Sequence, residues 1–267
     1  MPGEPSPVVV KLGGSVITRK REVERLRPKI LARLAREVVA SGRPLVVLHG
    51  AGSFGHPGAK RFGLARAPET DADPRRRARG AAIVAAEVRR LHLAVLRALV
   101  DAGGAPFSVP IATHARNRAG ELIHFDPGPF ALALGRGMVP VSFGDVVPDD
   151  AWGSSILSAD TIALALVPEL HPSRVLFVSD VPGILGAPVG GRRPVVAELT
   201  DAALARLRPS PGAADVTGGI RRKAEVMLAI ARAGGEAGLI SGLSDGALRR
   251  AIRGDSVYGT WAHAAER

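Results

Sequence analysis

Two short glycine-rich stretches place hydrogen-bond donors and charge just after apolar runs: KLGGS, Lys11 to Ser15, and HGAGSFGHP, His49 to Pro57. Glycine lets backbone N–H groups come close to an anion, so such a turn at a strand end can cradle phosphate. In the first stretch Gly13 and Gly14 would supply the donors, with the Lys11 ammonium beside them. In the second, Gly50, Gly52 and Gly55, with Ala51 among them, make another donor-rich loop. Two such loops could face one another across one phosphate. The alternative for each is a tight turn with no ligand. His56 at the end of the second loop could be a ligand, a catalyst or a solvated side chain. His49 closes the apolar run and reads as structural, or as a hydrogen-bond partner that shapes the loop.

Three further segments carry chemistry. GDVVPDDAWGSSILSAD, from Gly144, holds Asp145, Asp149, Asp150 and Asp160. Asp149 and Asp150 read as the solvated tip of a hairpin. Asp160 opens a helical stretch, where an acid complements the helix dipole. In SDVPGI, Ser179 to Ile184, a strand ends in a turn. In DVTGGIRRK, Asp215 and Thr217 are good N-cap types, Gly218 and Gly219 allow close backbone approach, and Lys223 would lean back toward the helix N-terminus. A phosphate held there would feel both dipole and ammonium. No segment fits a Walker A loop, a dinucleotide fingerprint or an EF-hand. Lysine is scarce, with only Lys11, Lys20, Lys29, Lys60 and Lys223 among 36 basic residues. Where arginine fills nearly every basic position, a retained lysine points to a need for a compact ammonium. Lys11, Lys20 and Lys223 all lie in or beside glycine-rich segments.

Elements that could position these groups alternate along the chain. PVVVKL, PLVVLH and RVLFVSD read as buried strands. FSVPI, MVPVSFGDVV, EAGLISG and VYGTWA read as further strands, and NRAGELIHF as a hairpin. Helical periodicity covers 28–41, 75–102, 128–135, 158–167, 201–207 and 216–233. The proline-rich 209–212 reads as a surface loop. Strands alternating with helices predict an α/β fold with a largely parallel sheet covered on both faces. The glycine clusters then fall at the carboxyl ends of strands, where such sheets bind ligands.

In this order, KLGGS, HGAGSFGH, GD, SAD, SDVPGI and DVTGG with its lysine resemble the amino acid kinase family over about residues 8 to 261. KLGGSVIT and the histidine trailing the second loop are similar to its isopentenyl phosphate kinases. The resemblance implies a three-layer α/β/α sandwich with a mainly parallel central sheet. It implies one domain with an acceptor-binding lobe over about 1–172 and a nucleotide-binding lobe over about 173–267. It implies ATP and Mg2+, in-line transfer of the γ-phosphoryl group to an isoprenoid monophosphate, a place in isoprenoid biosynthesis, and a homodimer formed through N-lobe helices. By motif, Lys11 contacts the transferring group, Lys223 the β–γ bridging region, and Asp160 orients both lysines. Lys20 reaches ATP phosphates. Gly13, Gly14, Ser179, Asp180, Gly183, Ile184 and Gly218 face the nucleotide, and Gly50, Ala51, Gly52, Gly55, Gly144 and Asp145 the acceptor. His56 would hold the acceptor's phosphate. That phosphate is already largely dianionic at neutral pH and needs a donor rather than a base. Ala51 stands where the family has glycine, which would bar a positive φ there. Val146 and Ile156, with Ala82, Ile83 and Ala86 on the long helix, would line an apolar pocket roomy enough for longer chains.

Composition is that of an ordinary globular protein, and a cytoplasmic location is the default expectation. The chain has 267 residues, no cysteine and a formal net charge of +11, so thiolate chemistry is excluded. The arginines are scattered without interleaved aromatics and do not make a nucleic-acid stripe. No apolar run reaches membrane-span length, and the N-terminus lacks the pattern of a signal peptide. The rival readings are a fosfomycin-type or UMP-type kinase of the same fold, and, from another class, a non-catalytic nucleotide- or nucleic-acid-binding protein.

Overall fold

Val8–Leu12 (β1) and Leu45–His49 (β2) are buried at every position, which explains why they are apolar except for Lys11 and His49, since both sheet faces are covered. The structure, a computed structural model, describes residues 6–20, 22–69, 73–188, 191–207 and 219–264. The remaining strands are Pro106–Ser108 (β3), Ala115–Arg118 (β4), Glu121–Phe125 (β5), Val139–Phe143 (β6), Asp145–Asp149 (β7), Gly153–Leu157 (β8), Arg174–Ser179 (β9), Ala237–Ser241 (β10) and Gly259–Ala262 (β11). The helices are Gly14–Ile17 (α1), Pro28–Val39 (α2), Gly52–Arg61 (α3), Pro74–Asp101 (α4), Gly128–Leu134 (α5), Ala159–Ala165 (α6), Val167–Leu170 (α7), Asp201–Arg206 (α8), Gly219–Arg232 (α9) and Ala247–Arg253 (α10).

The main sheet has the order β11-β10-β9-β1-β2-β6-β3, and β11 alone runs antiparallel to its neighbour. Successive strand residues face opposite layers. Val9, Leu48 and Phe177 pack with Ile162 of α6 and Met227 of α9. Val10, Val47 and Val178 pack with Leu34 of α2, Leu91 of α4 and Leu248 of α10. This is the expected three-layer α/β/α sandwich. The chain runs outward from β1 in both directions, through β2 on one side and β9 on the other. A topological switch point therefore lies at the carboxyl ends of β1, β2 and β9.

Two readings change. MVPVSFGDVV is not one strand. It breaks at Gly144, whose N–H donates to His49 O at 3.0 Å, and where a Cβ would stand 3.1 Å from Ala159 N. Beyond the break β7 leaves the main sheet and pairs antiparallel with β8 in a second sheet of order β5-β4-β7-β8. FSVPI is a strand only as far as Ser108, because Pro110 has no N–H to give a ladder and Ile111–Thr113 turns as a 3-10 helix. The hairpin in NRAGELIHF forms as expected, its turn carried by Ala119 and Gly120 at φ 51° and 83°.

Candidate active site

The two glycine turns touch. A side chain at Gly14 would place Cβ 2.4 Å from Gly52 N, and one at Gly52 would meet Thr18 Oγ1 at the same distance. Only glycine allows this approach, and the fully buried Thr18 fastens it. Its hydroxyl donates to Gly14 O at 2.7 Å and accepts from Ser53 N at 3.0 Å. The final threonine of KLGGSVIT thus has a task that the sequence reading missed. The second segment is also not a loop throughout. α3 begins at Gly52, so Gly55 and His56 lie on a helix. Ala51 is right-handed, at φ −66° and ψ −25°. The positive φ of 51° falls on Gly52, so an alanine at 51 is accommodated without strain. The first N–H groups of a helix lack intrahelical acceptors. Among the described residues those of Gly14, Ala51 and Gly52 meet no other protein acceptor, whereas the N–H groups of Gly13 and Gly50, expected to face an anion, are spent on Val178 O at 2.7 Å and Leu12 O at 3.0 Å.

Beside this cradle, Asp160 in the first turn of α6 holds two lysines. Lys11 Nζ is 2.6 Å from Oδ1 and Lys223 Nζ 2.6 Å from Oδ2. Burial alone would raise the Asp160 pKa, but the attraction of Lys11 and Lys223 and their hydrogen bonds hold it well below the ordinary carboxylate range. Burial, reinforced by the Lys11 charge and opposed by Asp160, pushes Lys223 down to about 8. The Lys223 ammonium also lies 4.9 Å from the centre of the Phe177 ring, a cation–π contact. Two positive charges against one carboxylate leave the cluster one charge short of neutral, which suits an anionic ligand.

Asp180, just beyond β9, accepts from Ser15 Oγ at 2.6 Å and pairs with Lys20 Nζ at 3.1 Å. Burial would raise its pKa, but Ser15 and Lys20 bring it below the usual value. Lys20 is otherwise largely exposed, and Ser179 Oγ donates to the same carboxylate at 3.3 Å. Gly183 and Ile184 are packed rather than open. A Cβ at Gly183 would stand 2.6 Å from Val195, and the fully buried Ile184 gives its N–H to Thr260 Oγ1 at 2.8 Å. They anchor this loop. Gly218, with Asp215 and Thr217, lies outside the described residues.

On the other side of β2, Asp145 is fully buried and paired with Arg89 of α4, Oδ2 to Nη2 at 3.0 Å and Oδ1 to Nη1 at 3.2 Å. Burial raises the Asp145 pKa against the opposing pull of Arg89. Val146 joins an apolar cluster with Leu64, Ala81, Val84, Val88 and Phe143, and Ile156 packs against it. Ala82 and Ala86 are exposed on the opposite side of α4 and Ile83 lies outside the cluster. The helical phase therefore puts Ala81, Val84 and Ala85 where 82, 83 and 86 were expected, and the valine weakens the argument for a roomy pocket. Asp149 is not a solvated tip. It is buried and accepts from the N–H groups of Ala119, Gly120, Ala151 and Trp152 at 2.8–3.0 Å. His49 is buried against His92 and Phe143, bonded at Nδ1 to Gly50 O at 3.2 Å, consistent with a structural, loop-shaping histidine. Arg89 and His92 went unnoticed in the sequence, although polar residues on the buried stripe of an amphipathic helix are a signal.

Converging N–H groups, two buried ammonium ions and a largely exposed lysine can bind a polyphosphate and neutralise charge moving between oxygens. The donor set is less suited to a standing metal cage. The Asp160 oxygens are taken by lysines, and the described residues hold no cluster of three or more His, Asp or Glu able to bind a metal.

The model of the amino acid kinase family matches residues 6–241. The chain is similar to the isopentenyl phosphate kinase of Methanothermobacter thermautotrophicus, with 36% identity covering 95% of this chain and 97% of that protein. It is also similar to the isopentenyl phosphate kinase of Arabidopsis thaliana, at 28% identity over 92% of this chain and 90% of that one. Among solved structures, an isopentenyl phosphate kinase superposes with a TM-score of 0.84 at 31% identity, covering 96% of this chain and 99% of the other. A product complex of the Thermoplasma acidophilum isopentenyl phosphate kinase superposes at 0.77, with 29% identity over 97% of this chain and 100% of the other. The family match runs unbroken from before β1 to the end of β10, through the glycine turns and the lysine-bridging aspartate, and the chain belongs to the amino acid kinase family.

Proposed function

We propose that this protein is an ATP-dependent phosphotransferase that converts isopentenyl phosphate to isopentenyl diphosphate. The observation that carries the reading is the Lys11–Asp160–Lys223 array beside the N-terminus of a helix bearing His56. Near-full-length likeness to isopentenyl phosphate kinases supports it.

Phosphoryl transfer asks for alignment and charge neutralisation more than covalent help. In this reading Lys11 meets the transferring group and Lys223 the β–γ bridge, while Asp160 keeps the ammoniums apart and aimed. The N–H groups of Gly14, Ala51 and Gly52 receive phosphoryl oxygens. Lys20 and Asp180 border the nucleotide. His56 sits one turn into α3, and helical side chains lean toward the N-terminus. It therefore donates to the acceptor's own phosphate, while the Val146–Ile156 cluster meets the hydrocarbon tail. Mg2+ would enter with ATP, held largely by phosphate oxygens and water as is usual for this ion, and would supply neutralisation of the β- and γ-oxygens. The lobes divide near residue 172. A homodimer through the outer faces of α2 and α4, where Leu93 and Val100 are exposed, and a cytoplasmic location complete the reading. Among the described residues no helix is long and apolar enough to cross a membrane.

Initial rates with ATP against isopentenyl phosphate, dimethylallyl phosphate, fosfomycin and UMP test the proposal. The expected order has isopentenyl phosphate first in kcat/KM. A higher value for fosfomycin or UMP would replace this reading with that acceptor. No turnover on any, together with salt-sensitive nucleic-acid binding, would replace it with a binding protein.

A further inference from the structure

A buried polar cluster at the end of β2 has no part in the mechanism so far. His49 ends β2 with no exposure, and His92 faces it from α4. His49 Nε2 lies 3.1 Å from His92 Nδ1, His92 Nε2 is 2.7 Å from Ser108 Oγ, and His49 Nδ1 is 3.2 Å from Gly50 O. All four ring nitrogens are therefore paired. The Phe143 ring stacks on His49, with centroids 5.4 Å apart, and lies 4.4 Å from His92. Apolar residues could fill this space with no nitrogens to satisfy, but they could not hold a carbonyl.

The pairing has one direction. Gly50 O can only accept, so His49 Nδ1 carries the proton. His49 Nε2 is then a lone pair and accepts from His92 Nδ1–H, and His92 Nε2 accepts from the Ser108 hydroxyl. Both rings must be neutral for this. Burial, with the neighbouring His92 acting in the same direction, pushes His49 down to about 3. Burial and the Arg89 charge push His92 down to about 4.

We infer that His49, its tautomer locked by His92 and Ser108, is a positioning residue that aims the Ala51 N–H at the phosphoryl group in flight. The peptide plane is trans, so the Gly50 carbonyl and the Ala51 N–H leave it in opposite directions. Drawing the carbonyl to the His49 ring drives the N–H away from that ring. The Gly50 N–H is spent on Leu12 O at 3.0 Å, which fixes the residue from its other side. The catalytic consequence rests on the phosphoryl-transfer reading, whereas the tautomer does not.

Long-range 1H–15N spectra of the whole protein labelled at histidine read the tautomer directly. The expected result is a neutral His49 protonated at Nδ1 that does not titrate between pH 5 and 8. An Nε2–H tautomer, or titration in that range, would overturn the inference. In parallel, His92→Leu removes the donor to His49 and His92→Gln keeps one. His92→Leu should lower kcat about tenfold, less than outright loss of such a donor, with the KM for ATP within about threefold, and His92→Gln should recover most of it. A folded His92→Leu enzyme with unchanged kcat would also overturn the inference, and if that variant does not fold the wild-type spectrum still decides. A wild-type chain that turns over no acceptor would sink the functional reading alone, leaving the tautomer to be judged by itself.

Discussion

Lys11 and Lys223 sit on the two oxygens of a single carboxylate, Asp160, each at 2.6 Å. One acid so placed fixes the spacing of two ammoniums that would otherwise repel. Asp160→Asn keeps the shape and removes the charge. The expected outcome is a loss of kcat of about 10²–10³-fold, the size associated with losing one preorganised electrostatic group, together with a lower thermal midpoint. Steady-state kinetics and a melting curve check both, and kcat within threefold of wild type would contradict the role.

The same cluster sets a pH dependence. Burial and Lys11 bring Lys223 to about 8, so in the free enzyme its ammonium is lost as pH rises through that value. Activity measured as kcat/KM should fall on the alkaline side of about pH 8. ATP favours the charged lysine and raises its pKa, so ATP binding at pH 8.5 should take up protons. Calorimetry in two buffers of different ionisation enthalpy measures the sign, and proton release would be the wrong result.

Contact between the glycine turns separates three neighbouring positions. Gly14→Ala and Gly52→Ala would each put a methyl about 2.4 Å from existing atoms, and Gly52 also needs φ 51°. Both should lose most activity. Ala51→Gly relaxes a residue already right-handed and should change kcat by less than about threefold, its main effect being a fraction of a kcal/mol in stability from the added backbone freedom. Parallel kinetics and urea titrations on the three variants decide this.

Asp149 ties four backbone N–H groups across two hairpins. Asp149→Ala leaves those donors without their acceptor and should cost roughly 2–4 kcal/mol in urea unfolding, as expected for hydrogen bonds to a charged group. Asp149→Asn, which retains one acceptor oxygen, should cost less. Equal costs for the two would point to packing instead.

Much of the fold was legible because it rests on local pattern. The largely apolar runs of β1, β2 and β9 and the periodicity of α2, α4 and α9 follow directly from burial on two faces or one. The lysines were legible from their glycine-rich settings, whereas Asp160 by itself read as a first-turn helix acid and became their partner only through the family resemblance. What escaped depends on distant partners. Gly144 reads as a strand interior until Ala159 is placed against it. Asp149 reads as a loop acid until the second hairpin brings Ala119 and Gly120 to it. Ala82 and Ala81 differ by one position, and only the packing of α4 shows which faces the cluster. The partnership of His49 with His92 and Ser108 joins side chains from three elements, β2, α4 and β3, which no spacing rule anticipates.

The central claim is that one helix serves both phosphates, its N-terminal amides taking the transferring group and His56 the acceptor's own. The most direct test is the turnover of isopentenyl phosphate by His56→Ala at saturating ATP. The account predicts a loss of kcat of about 10²-fold or more, the scale of a lost transition-state donor. Full kcat in the variant would contradict it.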